Sequence, residues 1–198
     1  MKTAAKLKMS FRKLGELEFQ CYQNALRLHS DALLLYTKES FASAFALSVL
    51  SNEEFGKGFA IAEICFQATH EKQFDAHDEK TLQQLLRDHK LKQGWFVSHA
   101  VDWRLMTRKY QQKRFQRQQA DKNDAFYVGV RTGNHQIVRP FLLPKSKARR
   151  QLKITNDVLQ DLAEGRLSGK YIYEEVLDGV LRSRRLLKSL KASAELLR

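Results

Sequence analysis

Proline occurs only at Pro140 and Pro144, so nothing before residue 139 interrupts a helix through a fixed φ or a missing N–H. The apolar pattern agrees with long helices. Leu7, Phe11, Leu14, Leu17, Cys21, Leu28, Ala32 and Leu35 recur at three- and four-residue steps, which predicts one helix from about Met9 to Thr37. A break near Lys38–Ser40 opens a second helix that runs to about Thr69. His70 to Asp78 is polar and aperiodic, hence a loop, with Asp78 placed to cap a third helix. That helix continues through His89, Trp95, Phe96, His99, Trp103, Met106 and Tyr110 towards Gln119, so long that a kink near Gly94 is expected.

From Ala120 to Lys145 the helical period fails, and Gly133-Asn134 between two short apolar runs reads as a hairpin or irregular excursion. Ser146 can cap a fourth helix ending at Gly165, and Ser168 can open a last one reaching Leu197. The expectation is an all-α bundle of about five helices in a single domain over residues 1–198. Core helices would occupy about 9–119, the excursion 120–147 and the C-terminal helices 148–198.

Charge enters this apolar frame at two places. Glu53-Glu54-Phe55-Gly56-Lys57 lies in a stripe built from Phe41, Ala44, Phe45, Leu47, Leu50, Phe59, Ile61 and Ile64. Glu54 and Lys57, three apart, share a face of that stripe, whereas Glu53 reads more readily as a surface salt bridge to Lys57. His89-x-x-Lys92 repeats the insertion between Leu82, Leu85, Leu86 and Phe96. A charge on a core-facing stripe costs several kcal/mol, to order of magnitude, unless it is paired or needed. Two insertions on consecutive helices therefore point to one shared polar site. Asn24 and Asp31 border the first helix's stripe, where they either bond packed helices together or support that site.

The chain carries 35 Lys and Arg against 22 Asp and Glu, a formal charge of +13 that favours phosphate-rich partners. The excess is local: Arg104, Arg108, Lys109, Lys113, Arg114, Arg117 and Lys122 face the single acid Asp121. A His, a Lys and a carboxylate together can cleave RNA without metal. The imidazole or carboxylate takes the 2′-OH proton while the ammonium steadies the charge on the phosphorane. The basic end of the third helix would track the RNA backbone, and Trp95, Trp103 or Tyr110 would stack on bases or pack in the core.

Other chemistries fit less well. No Glu-x-x-His pair supports a di-iron bundle, and there is no P-loop, Gly-x-Gly-x-x-Gly or Gly-x-Ser-x-Gly. His70, Asp75, His77 and Asp78 cluster without cysteine support, so neither a metal nor another cofactor is expected. Cys21 and Cys65 read as reduced core residues of a cytosolic protein, and no apolar run is long enough for a membrane span.

Over roughly residues 20 to 145 the chain resembles the AbiV-type abortive-infection proteins, part of the wider HEPN group of helical bundles. The resemblance rests on Asn24-Ala25-x-x-Leu28-x-x-Asp31-Ala32, Ser40-Phe41-x-x-Ala44, Glu53-Glu54-Phe55-Gly56-Lys57, His89-x-x-Lys92 and Phe126-Tyr127-Val128. It implies phage defence by shutting off protein synthesis, a dimeric metal-independent ribonuclease, a translation-related RNA target and a phage component as activator. A non-enzymatic module that blocks translation sterically is the alternative. The usual HEPN pattern of Arg followed after four to six residues by His is missing. Lys92 to His99 has the spacing with the wrong base, and Arg131 to His135 is one residue short. The site must then be built from Glu54, Lys57, His89 and Lys92, with Glu53 beside them.

Overall fold

The computed structural model describes residues 9–70, 76–100, 108–130, 137–167 and 184–197. Among these residues lie seven α-helices: α1 (Phe11–Thr37), α2 (Phe41–His70), α3 (Ala76–Arg87), α4 (His89–Ala100), α5 (Arg108–Phe126), α6 (Lys145–Leu167) and α7 (Arg184–Leu196). The all-α bundle expected from the sequence is what forms, though the long third helix is divided. Its break is at Asp88 rather than near Gly94: Asp88 Oδ1 accepts the backbone N–H of Lys90 at 2.7 Å and so caps α4. Asp78, expected as a cap, lies inside α3.

α5 runs seven residues past the expected boundary at Gln119. The excursion then narrows to a two-residue antiparallel ladder, Gly129–Val130 against Ile137–Val138, and a 3-10 turn at Pro140–Leu142. The turn at Gly133-Asn134 falls outside the described residues, as does Ser168. α6 already includes Ser146 and continues past Gly165.

The α1–α2 link shows how local chemistry sets the frame. Ser40 N–H donates to Leu35 O at 2.9 Å and Glu39 N–H to Tyr36 O at 3.1 Å, the paired bonds of a Schellman end. Glu39 takes the left-handed position at φ 60° that glycine usually fills. The chain reverses there and lays α2 along α1.

α2 is the central helix, packed on α1, α4, α5 and α6. It is therefore buried on nearly every side, not along one stripe: Ser48, Ser51, Asn52 and Glu53 are as enclosed as Phe45, Val49, Phe55 and Ile61. Phe55 sits among Tyr22 and Phe96, edge-on to both at centroid distances of 5.5 and 5.7 Å. Trp95 packs edge-on against Phe59 at the margin of this core.

A polar seam joins α2 to α6. Thr155 Oγ1 donates to Asn52 Oδ1 at 2.7 Å and lies 2.7 Å from Ser48 Oγ, whose hydroxyl is left to donate to Thr155. Below it, buried His29 of α1 bonds Asn156 Oδ1 at 3.1 Å, and Asn156 Nδ2 donates to Leu190 O at 3.1 Å. Burial pushes the His29 pKa down to about 4, against a smaller raising effect of the Asn156 bond.

The sign of the resulting pH dependence follows from linkage. The unfolded chain takes up this proton below about pH 6.5 and the folded one does not until about 4. His29 thus withdraws up to about 3 kcal/mol of stability as pH falls through that window. Urea unfolding at pH 7 and pH 4.5 checks this. The wild type should lose more stability between the two than His29→Gln does, and equal losses would contradict it.

Candidate active site

Five consecutive residues of α2 divide the labour around one helical turn. Phe55 enters the aromatic core. Gly56 faces α4 so closely that a Cβ there would collide with the Lys92 carbonyl and sit 2.8 Å from the Phe96 nitrogen. That approach brings α4 against the charged residues.

Glu53 is the centre of the polar site. Its side chain is only 3% exposed, so the surface salt bridge expected for it does not form. Instead the carboxylate gathers three donors from two other helices. His89 Nδ1 lies 2.6 Å from Oε2, while Lys122 Nζ and Gln93 Nε2 each donate to Oε1 at 2.7 Å. Gln93 also donates to Gln119 Oε1 at 3.0 Å, tying α4 to α5. Lys122 is itself buried, with a side chain 7% exposed. A buried carboxylate is tolerated when its lone pairs are filled by charged and neutral donors together, as here.

His89 is placed differently. Its ring is half exposed although its Nδ1 is anchored on a buried group. A carboxylate only accepts, so Nδ1 carries the hydrogen and the other ring nitrogen is left to solvent. The ring lines an open cleft of about 810 Å³ together with Lys80, Arg87, Asp88, Lys90 and Gln119.

Glu54 and Lys57 point another way. They form an ion pair at 2.8 Å, both partly buried, beside a second hollow of about 430 Å³ lined by Gln20, Cys21, Asn24 and Arg27 of α1. Lys92 is buried between the two groups. Desolvation lowers its pKa first and the Lys57 charge second, against the opposing pull of Glu53 and Glu54. Cys21 beside Lys57 has its thiol pushed up to about 12, chiefly by burial, which leaves it unreactive at neutral pH.

Glu53, rather than Glu54, thus meets His89. Asn24 borders the second hollow, but its amide accepts from Arg27 at 2.9 Å, and Asp31 is spent on an exposed ion pair with the same Arg27. Gln93, Gln119 and Lys122 were not singled out from the sequence as parts of the site. Their only signal was spacing: Gln93 follows His89 by four, and Lys122 follows Gln119 by three, one helical face in each case.

Of the basic residues on α5, Lys113 and Arg117 are exposed. Both line a groove of about 750 Å³ between α5 and α6. The side chains of Arg104, Arg108, Lys109 and Arg114 fall outside the described residues, as do those of Trp103, Tyr110, His70, Asp75, His77 and Asp78. Among the described residues no group of His, Cys, Asp or Glu is arranged to hold a metal ion, and no helix is long and apolar enough to cross a membrane.

Comparison with known proteins gives one finding. The HEPN-type family model of AbiV matches residues 14–160, from the first turn of α1 into α6, and so spans every member of the Glu53 network. No curated protein and no solved structure matches the chain.

Proposed function

The chain belongs to the AbiV family of HEPN-type abortive-infection proteins, and on that premise we propose that it defends against phage as a metal-independent endoribonuclease acting on translation-related RNA. His89 is the proton acceptor and Glu53 its positioning residue. The observation that supports this best is the half-exposed imidazole whose Nδ1 is held by a buried carboxylate at 2.6 Å. Such a contact fixes the tautomer, orients the ring and stabilises the imidazolium once it forms. Glu53 itself is saturated by three donors and shut off from solvent, so it does not act as the base.

The reaction this allows is an internal transfer. The free ring nitrogen of His89 takes the proton of a ribose 2′-OH, and the 2′ oxygen forms a bond to the adjacent phosphorus. The bond from phosphorus to the 5′ oxygen breaks, and that oxygen takes a proton from water in the open cleft. The products are a 2′,3′-cyclic phosphate and a 5′-OH. Lys80, Arg87 and Lys90 around the cleft supply cations to the phosphate as its charge grows. Glu54, Lys57 and Lys92 balance charge behind Glu53 rather than touch substrate.

In this reading a phage component releases the activity, the working unit is a homodimer, and protein synthesis stops because its RNA is cut. Expression with and without phage tests the idea in cells. Discrete RNA fragments should appear on infection with the wild type and be absent with His89→Ala, while light scattering of the purified protein reads a dimer. Intact RNA alongside arrested translation would mean a steric block instead of cleavage.

A further inference from the structure

We infer that the groove between α5 and α6 binds a single strand of RNA through its phosphates and leads it to the cleft at His89. This deepens the ribonuclease reading and rests on it for the nature of the polymer.

The groove is built for an anionic chain. Lys113 and Arg117 stand one turn apart on α5, a rise of about 6 Å, and Arg150 of α6 lines the same groove; all three are exposed. Among the described residues none of the three is in an ion pair. Among the described residues the one acid lining the groove is Asp121, already neutralised by Lys147 at 2.6 Å, and that ammonium also lies over the Phe45 ring at 5.6 Å. Among the described residues, three unspent cations therefore remain along a wall with no free carboxylate.

Position on α5 connects the groove to the candidate chemistry. Arg117 and Gln118 line the groove, and the next residue, Gln119, lines the His89 cleft and bonds Gln93. A strand held along Lys113 and Arg117 has only the width of α5, about 10–12 Å, to cross before it reaches the cleft that Gln119 lines. An acidic protein would satisfy the cations too, but it would not account for a shared helix between the groove and a centre that needs a 2′-OH.

The test uses the full chain carrying His89→Ala, so that RNA is bound without being cut. A fluorescent single-stranded RNA of about twenty nucleotides is titrated at several salt concentrations. Replacing Lys113, Arg117 and Arg150 together by Gln should weaken binding by about 10- to 100-fold near physiological salt. The slope of log K against log salt should become shallower by about 2, since each phosphate contact on a single strand contributes about 0.7. Because the three side chains are exposed, thermal unfolding should not move. If it does, Arg150→Gln alone is read, with a slope change of about 0.7.

Unchanged affinity and slope would overturn the proposal. So would poly-glutamate binding as tightly as RNA and losing as much affinity in the triple variant, which would make the groove a face for acidic proteins. Failure of the ribonuclease reading is seen separately. RNA binding that depends on the groove, with no cleavage by the His89-intact protein taken from phage-infected cells, keeps the groove and removes the enzyme.

Discussion

Glu53→Ala should cost the protein about 3–5 kcal/mol in urea unfolding, because it strands Lys122 as a buried charge and takes away one of the two acceptors of Gln93. The size of the effect comes from the partners left behind, not from any intrinsic strength of the ion pair. Removing both charges at once makes that distinction. Glu53→Leu combined with Lys122→Met should recover most of the lost stability, since a buried pair replaced by apolar groups of similar volume is often neutral. The recovered protein should still fail to cut RNA, because His89 has lost the carboxylate on Nδ1. A loss below about 1 kcal/mol for Glu53→Ala would show that the network is open to water and that the buried geometry is wrong.

Gly56→Ala should be nearly as damaging, by about 3 kcal/mol, at the upper end of the usual overpacking range. The new Cβ would meet the Lys92 carbonyl and the Phe96 nitrogen, both main-chain atoms that can yield only if α4 moves as a whole. Such a shift would loosen the Phe55–Phe96 contact and draw His89 and Gln93 off Glu53 together. Two other glycines provide the scale. At Gly58 the neighbours are the Tyr22 ring, at 3.0 Å, and Cys21, side chains with some room to turn, so Ala there should cost less. At Gly15 nothing lies within 4 Å, and Ala should stabilise α1 by about 0.5–1 kcal/mol through helix propensity. Chemical denaturation of the three variants should rank them in that order, and a Gly56→Ala protein as stable as the wild type would contradict the close α2–α4 approach.

The helices were legible because their physics is local. Sparse proline and a three-four apolar period fix α1 and α2 nearly to the residue, and the Lys38–Ser40 break is the Schellman end itself. The division at Asp88 was not legible as such. Asp88 is flanked by residues that suit a helix, and only its side chain turning back onto the Lys90 N–H reveals a new start. Asp78 offers the same chemistry on paper, but the chain is already helical from Ala76.

The structure brings charge together at the segment the stripe pattern marks, but turns a different acid inward. A stripe argument supposes one buried face, which made Glu54 the core-facing acid and Glu53 the surface one. α2 is enclosed by four helices, so the supposed outer face carries Glu53 into the interior, against α4 and α5. The signal for this is apolar residues on every face of α2, which marks a helix enclosed all round rather than along one stripe. Lys122 was hidden for another reason: within a basic run it looks like one more solvated charge, and only the partner 69 residues away gives it a role. His89 was legible because an imidazole beside Lys92 between buried leucines has few reasons to be there.

The account stands most directly on the chemistry of one ring nitrogen. Wild type purified from phage-infected cells, and so in its released state, should be incubated with single-stranded RNA in excess chelator, and the ends of any products identified. The prediction is fragments bearing 2′,3′-cyclic phosphate and 5′-OH, formed without metal and slowed by about 10²–10⁴-fold in a folded His89→Ala protein, the usual worth of a positioned acid–base group. Activated wild type that leaves RNA intact, or folded His89→Ala that cuts it as fast as wild type, would contradict it.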